Sequence, residues 1–150
     1  MDWPIKLFTR FNAFLMRASG GRLGGRLGRQ SILLLTTTGR RSGQPRSTPL
    51  SYYRDGTRYL VVASNWGRAS QPDWFLNLLR QPRATIQVGG RSLPVQASVA
   101  EGDERARLWD LATRQNGQFL QYQQQTARQI PVVILTPAGA GAQAAAGRSP

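Results

Sequence analysis

Cysteine and histidine are both absent from this 150-residue chain. Their absence excludes disulfides, thiolate or imidazole metal sites, Cys–His and Ser–His–Asp nucleophiles, and a histidine general base. Acidic residues are scarce as well. The seven are Asp2, Asp55, Asp73, Glu101, Asp103, Glu104 and Asp110, mostly at turn and helix-start positions. No paired carboxylates emerge for acid–base work, so neither a hydrolase nor a metal site is expected. Any chemistry must come from a bound cofactor.

Long apolar runs are also missing. The N-terminal segment is interrupted by Lys6, Thr9, Arg10 and Asn12, which leaves no spanning helix and no secretory core segment. Cytoplasmic residence is the expectation. Leu7, Phe11, Phe14 and Leu15 nevertheless share one helical stripe, with Lys6, Arg10 and Arg17 away from its centre. Residues 1–18 therefore read as a basic amphipathic helix. It serves either as an in-plane anchor at the inner face of an anionic membrane or as a helix packed on the domain or a second subunit.

Twenty Lys and Arg residues give a formal charge of +13, and every cation except Lys6 is arginine. The partner should be anionic. The planar guanidinium fork suits phosphate or carboxylate, although a bias in coding composition would give the same excess without function.

Residues 19–30 are rich in Gly and Arg without the Gly-x-Gly-x-x-Gly spacing of a dinucleotide site and read as a flexible link. Strand-like runs follow at Ile32–Thr38, Ser47–Tyr53, Arg58–Ser64, Arg83–Val88, Arg91–Val99 and Pro131–Thr136. Asp55-Gly56 and Gly89-Gly90 mark hairpin turns. Ser70, as N-cap, opens a helix through Trp74–Leu79 that Pro82 ends, while Asp103–Gln115 and Phe119–Thr126 read as further helices. Residues 137–150 carry too little apolar area to offset ordering and read as a disordered tail. About six antiparallel strands with peripheral helices, over residues 31–136, point to a mainly β barrel.

The richest stretch runs from Thr36 to Pro49. Gly39 and Gly43 there let backbone N–H groups turn inward, while Arg40, Arg41 and Arg46 add charge-assisted donors. No Gly-Lys-Ser/Thr follows, so the loop is not a P-loop. On chemistry alone it is either an anion cradle or a solvated basic hairpin.

Leu34–Arg46, Pro49-Leu50, Arg54-Asp55-Gly56, Val62–Asn65, Pro72–Leu78 and Ile130–Val133 keep the order and spacing of a known family. Through these blocks the chain resembles the deazaflavin-dependent nitroreductases, split β-barrels of the FMN-binding type. The resemblance implies coenzyme F-420 as cofactor, a deazaflavin with a phospholactyl group and an oligoglutamate tail. It further implies hydride transfer from the reduced cofactor to a small or lipid-soluble electrophile. Carried over by position, Arg40, Arg41, Ser42 and Arg46 would hold the phosphate and tail. Ser47, Thr48, Pro49, Leu50 and Ser51 would run along the cofactor. Val62, Ala63, Ser64 and Asn65 would approach the ring, with Ser64 as the one residue assigned near the chemistry. Asp73, Trp74, Phe75, Leu76 and Asn77 would close another side, and Asn116, Phe119 and Tyr122 would face the substrate, Phe119 touching the cofactor too.

Departures from the family pattern are informative. Arg41 stands where lysine is common, and Asn116 and Phe119 replace tyrosines that line the substrate side in nitroimidazole-reducing relatives. Ser51 occupies another aromatic position. These changes weigh against nitroreduction without removing nitro compounds from the candidate electrophiles, beside quinones, enones or fatty-acid-like chains. The alternatives are an FMN-binding reductase of the same fold, a non-catalytic cofactor or lipid carrier and, ranked last, a nucleic-acid-binding barrel. By family analogy a homodimer is expected.

Overall fold

A computed structural model describes residues 26–27 and 30–138. The amphipathic helix expected over 1–18 lies outside the described residues, as does nearly all of the expected tail. Eight strands form one antiparallel sheet: β1 (Arg26–Leu27), β2 (Gln30–Thr38), β3 (Pro45–Ser51), β4 (Tyr53–Asp55), β5 (Arg58–Val62), β6 (Arg83–Val88), β7 (Arg91–Val99) and β8 (Val132–Pro137). The order is β1-β2-β6-β7-β8-β5-β4, with β3 also paired to β2. Among the described residues three α-helices complete it: α1 (Asp73–Arg80), α2 (Gly102–Gln115) and α3 (Gln118–Gln125).

All six expected strand runs are present, and the two additional strands have local causes. The run Ser47–Tyr53 changes partner at Tyr52. β3 stays on β2 as far as Ser51, the Tyr52 N–H donates to Ser31 O at 2.9 Å, and Tyr53 turns away to pair with Leu60 on β5. β1 falls inside the stretch read as a flexible link, where Arg26 pairs with Ser31 and Leu27 with Gln30. Backbone pairing there needs no alternating side-chain pattern, so none announced it. β8 also extends to Pro137, one residue beyond the expected end of the barrel.

The sheet curls until β3 comes against β5, yet no ladder joins them. Pro45 and Pro49 remove two backbone donors from β3, which suits a strand paired along one edge only. The barrel stays split at that seam.

Two hairpins pin the register. Gly56 has φ 62° in the turn between Asp55 and Arg58, and Gly89 and Gly90 have φ 57° and 80° between Val88 and Arg91. Both glycines of the second turn thus occupy the left-handed region that a tight two-residue hairpin demands.

Strand alternation sorts the core into two layers. Leu33, Leu35, Tyr59, Val61, Ala63, Val133 and Leu135 point inward and meet Trp74, Phe75 and Leu78 of α1. The intervening residues Leu60, Val62, Val132 and Ile134 point outward and are covered by Leu108 and Ala112 of α2 and Phe119 of α3. Fully burying each large apolar side chain contributes about 1.5–3 kcal/mol. α2 is also tied to the β4–β5 hairpin. Arg107 donates twice to Asp55, at 3.0 and 3.1 Å, and Arg58 bridges Asp55 to Glu104. These guanidinium hydrogen bonds hold the Asp55 carboxyl well below the usual carboxylate range.

The start of α1 differs from expectation. Pro72, with extended backbone, occupies the N-cap, and its carbonyl accepts from Phe75 and Leu76 N–H. Ser70 lies two residues outside because the Asn65 amide holds its carbonyl at 2.9 Å and its hydroxyl at 3.3 Å. The end is as expected: Gln81, before Pro82, is extended.

Candidate functional site

The loop between β2 and β3 is shaped by its glycines. The Gly39 N–H donates to Gln44 O at 2.7 Å, and the Gly43 N–H donates to Gly39 O at 2.8 Å. A Cβ on Gly39 would stand 2.7 Å from Ser42 Oγ and 3.1 Å from Gln44 O, so the serine hydroxyl would have to move and the Gln44 carbonyl to give slightly. Gly43 has φ 72°. The closed loop places Arg40, Arg41 and Ser42 at its tip.

Arg40 is then fixed from below by α1. Its backbone N–H and Nη1 donate to Asn77 Oδ1 at 3.2 and 2.9 Å, and Nη2 donates to Asp73 Oδ1 at 3.2 Å. Asn77 is only 3% exposed, and its Nδ2 donates to Thr37 Oγ1 at 3.0 Å. One buried amide thereby joins β2, the loop and α1. On the opposite wall, Ser42 Oγ accepts from Arg46 Nη2 at 3.2 Å and from Gln44 N–H at 3.1 Å, and the Thr36 and Ser47 hydroxyls meet at 2.9 Å.

Between these walls lies an open cleft of about 500 Å³ lined by Thr37, Gly39, Arg40, Arg41, Ser42, Arg46, Ser47, Thr48, Asp73, Trp74 and Asn77. Three guanidiniums face one carboxylate, and that of Asp73 is 88% exposed, so water screens it. By its charge the cleft suits an anion. Among the described residues no group accepts from Arg41, and Arg46 gives one bond to Ser42, which leaves donors for a ligand.

A second cluster forms where β5 ends. Asn65 and Trp66 adopt φ 48° and 61°, followed by Gly67 at 77°. Arg128 holds this turn. Its Nη1 donates to Ala63 O at 3.1 Å and to Gln71 Oε1 at 2.8 Å, Nη2 donates to Ser64 O at 2.7 Å, and Nε donates to Arg68 O at 2.9 Å. Burial lowers the guanidinium's pKa from its ordinary value. The Ser64 hydroxyl makes no capping bond in the turn.

A profile of the "F420H(2)-dependent quinone reductase" family matches residues 8–137. The chain belongs to this family. An F420H(2)-dependent quinone reductase of Mycobacterium tuberculosis (strain ATCC 25618 / H37Rv) is 40% identical over 131 residues, covering 85% of this chain and 88% of the relative. Among solved structures, an F420-H2 dependent reductase (FDR-A) is 38% identical with a TM-score of 0.65, over 69% of this chain and 92% of that one. Another, described as a domain-swapped dimer, is 33% identical with a TM-score of 0.67, over 87% of this chain and 98% of that one.

As a member of the F420H(2)-dependent quinone reductases, the chain is a coenzyme F-420-dependent reductase with a split-barrel fold, as the sequence blocks implied. The residues fit such a cofactor: the cleft offers unengaged guanidinium donors beside the Trp74 side chain, which suits a group with an anionic end.

Of the residues carried over from the family pattern, Arg40, Arg41, Ser42, Arg46, Ser47, Thr48, Asp73, Trp74 and Asn77 share the cleft. The others do not line it. Pro49, Leu50 and Ser51 continue along β3, and Val62, Ala63 and Phe75 lie in the core, with Leu76 packed against it. Ser64 and Asn65 form the turn after β5. Phe119 is buried against Tyr53 and Trp109, and Tyr122 lies between Phe119 and Trp66. Asn116 Nδ2 donates to Tyr53 Oη at 3.4 Å, and its Oδ1 accepts from Gln118 N–H. Burial raises the pKa of that phenol.

Thr37, Arg128 and Trp66 escaped the sequence reading. Thr37 was legible only as a strand residue. Arg128 lies 64 residues from the carbonyl of Ser64 that it holds, and no local pattern marks it.

Proposed function

We propose that the β2–β3 cleft holds the anionic end of reduced coenzyme F-420 and that the turn after β5 presents a quinone to its ring. The observation that carries this reading is the division of labour among the arginines. Arg40 is locked by Asn77 and Asp73, whereas Arg41 and Arg46 keep donors facing the cleft. When bound, the reduced deazaflavin supplies a hydride to the substrate. The protein supplies position and charge. Arg40, Arg41 and Arg46 bind the phosphate and carboxylates, each charge-assisted bond roughly twice as strong as a neutral one. Trp74 walls one side of the cleft. Ser64 offers a half-buried hydroxyl, free among the described residues, that can donate to negative charge developing on a substrate oxygen. Arg128 keeps that strand end still by binding the carbonyls on either side of it.

Quinone as the electrophile follows the relatives' names and the loss of tyrosines at Asn116 and Phe119. The structure described as a domain-swapped dimer supports a dimer here, for which light scattering after gel filtration is the check. No helix among the described residues is long and apolar enough to cross a membrane. The basic pattern of residues 1–18 supports peripheral contact with anionic lipid on the cytoplasmic side, tested by sedimentation with phosphatidylglycerol vesicles.

The deciding experiment is a fluorescence titration with coenzyme F-420 and with flavin mononucleotide, followed by oxidation of the reduced deazaflavin with menadione. Tight binding of the deazaflavin, together with quinone-dependent turnover, is expected. Preference for the flavin, or binding without turnover, overturns the reading.

A further inference from the structure

Trp66 is the most exposed large apolar side chain of the described residues, at 68%. Its backbone is also in the left-handed region, φ 61° and ψ 23°, which a bulky residue rarely adopts. Asn65 before it has φ 48°. Strain of this kind persists only where the surroundings over-determine it, and it collects at ligand-contacting positions.

The surroundings do over-determine it. Arg128 binds the carbonyls of Ala63, Ser64 and Arg68, and the Asn65 amide binds Ser70. Gly67 is pressed against α3, where an added Cβ would stand 3.1 Å from Tyr122 O. The indole meets the Tyr122 ring edge to face, with centroids 6.4 Å apart and planes at 78°. That contact orients the ring while most of its surface stays in solvent. A tryptophan needed only for packing would be buried, and a turn needing φ near 60° would be easier to build with glycine or asparagine.

We infer that Trp66 is a specificity-determining platform on which a flat, fused-ring quinone stacks. This rests on the quinone-reductase reading above and names the substrate class of that same site. Trp66 directly follows Ser64 and Asn65 at the end of β5. The segment then runs through Gln71 and Pro72 into α1, whose Asp73, Trp74 and Asn77 line the anion cleft. The platform therefore lies in the same turn as the polar group proposed to meet the substrate oxygen, two residues further along the chain. The chemistry is complementary: an indole face is electron-rich, a quinone ring is electron-poor, and both are planar. A fused bicyclic quinone covers more of the indole than a single ring, so naphthoquinones should be preferred over benzoquinones.

The test uses the full chain with Trp66→Asn, which removes the ring and suits the left-handed backbone, and with Trp66→Phe, which retains an aromatic face. In W66N, the KM for menadione should rise about tenfold and the KM for benzoquinone about twofold. The kcat and the coenzyme F-420 dissociation constant should stay within about twofold. W66F should recover part of the menadione KM. The melting temperature of W66N should hold or rise, an outcome that a packing role for Trp66 would reverse. Without any cofactor, menadione should quench the tryptophan fluorescence of the wild-type protein and quench that of W66N much less. An unchanged menadione KM, equal quenching, or a melting temperature several degrees lower in W66N would overturn the inference. Failure of the wild-type protein to bind the deazaflavin overturns the function instead, and leaves the quenching arm to decide on Trp66.

Discussion

Replacing Asn77 with alanine separates a residue that binds the cofactor from one that holds a binding residue in place. Asn77 Oδ1 accepts two N–H groups of Arg40, and Nδ2 donates to the buried Thr37 hydroxyl. Bonds to a charged guanidinium contribute about 1.5–3 kcal/mol and a neutral bond about 0.5–1.5 kcal/mol. Water reaches the partly exposed Arg40 in the variant, so the net loss should sit low in that range, about 2–3 kcal/mol. With a urea slope near 2 kcal/mol per molar, the midpoint falls by roughly 1 M. Affinity responds differently, because Arg40 survives but is no longer immobilised in advance. Ordering one such side chain on binding costs about 0.5–1.5 kcal/mol, which weakens coenzyme F-420 by roughly two- to twelvefold. Thr37→Val is the companion. It breaks the same network without releasing Arg40, and should cost about 1 kcal/mol of stability while leaving affinity within about twofold. Urea denaturation and fluorescence titration of both variants give the four numbers. Wild-type affinity in N77A, or equal losses of affinity in the two variants, would refute the positioning role.

Arg41→Ala should weaken deazaflavin binding by about tenfold or more, the value of one charge-assisted bond, with Arg41→Lys recovering part of it; titration at two salt concentrations checks the ionic component. Arg128→Ala should lower kcat for quinone about tenfold with cofactor affinity changed less than about threefold, and Arg128→Lys should not rescue it because an ammonium lacks the planar fork; steady-state kinetics with titration separates the two effects. Asp55 has a depressed carboxyl pKa in the folded protein, so its stabilisation is complete above the unfolded value near pH 4 and is lost as pH falls through the lower folded value. The urea midpoint should therefore drop below about pH 4 more steeply in the wild-type protein than in Asp55→Asn, and parallel pH profiles would count against the pairing with Arg107 and Arg58.

The strands were legible because their apolar residues face a core on one side or, as in β5, on both. Tyr59, Val61 and Ala63 alternate with Leu60 and Val62 across two apolar layers, and hydrophobic choice at successive positions records that directly. The β4–β5 and β6–β7 turns were legible from Asp55-Gly56 and Gly89-Gly90, since positive φ selects glycine. The break at Tyr52 was not. Both flanking runs are strand-like, and only the change of partner from β2 to β5 interrupts them. Ser70 misled for a related reason: its residue type suits an N-cap, but Asn65 had already engaged it.

In the site, the loop's own chemistry left an anion cradle and a solvated hairpin open; the family pattern joined α1 to the loop, and the structure packs the two together through Arg40 and Asn77. The stereochemical burden falls elsewhere, on residues whose polar atoms point at the protein. Asn77 directs its amide at Arg40 and Thr37, and Arg128 directs its whole guanidinium at three backbone carbonyls and Gln71. Neither identity follows from its neighbours in sequence, because the groups each must reach lie dozens of residues away. This bears on how a chain without histidine or cysteine can support a reductase. When the cofactor carries the reacting hydride, no side chain needs a tuned acid–base function. What the side chains supply instead is rigidity and charge: Arg40 is locked by Asn77 and Asp73, the strained turn after β5 is held by Arg128, and Arg41 and Arg46 keep donors open in the cleft. Loosening either anchor should therefore change rate and affinity separately, Asn77 acting on cofactor binding and Arg128 on turnover. An enzyme that relied on one shared catalytic group could not show that separation.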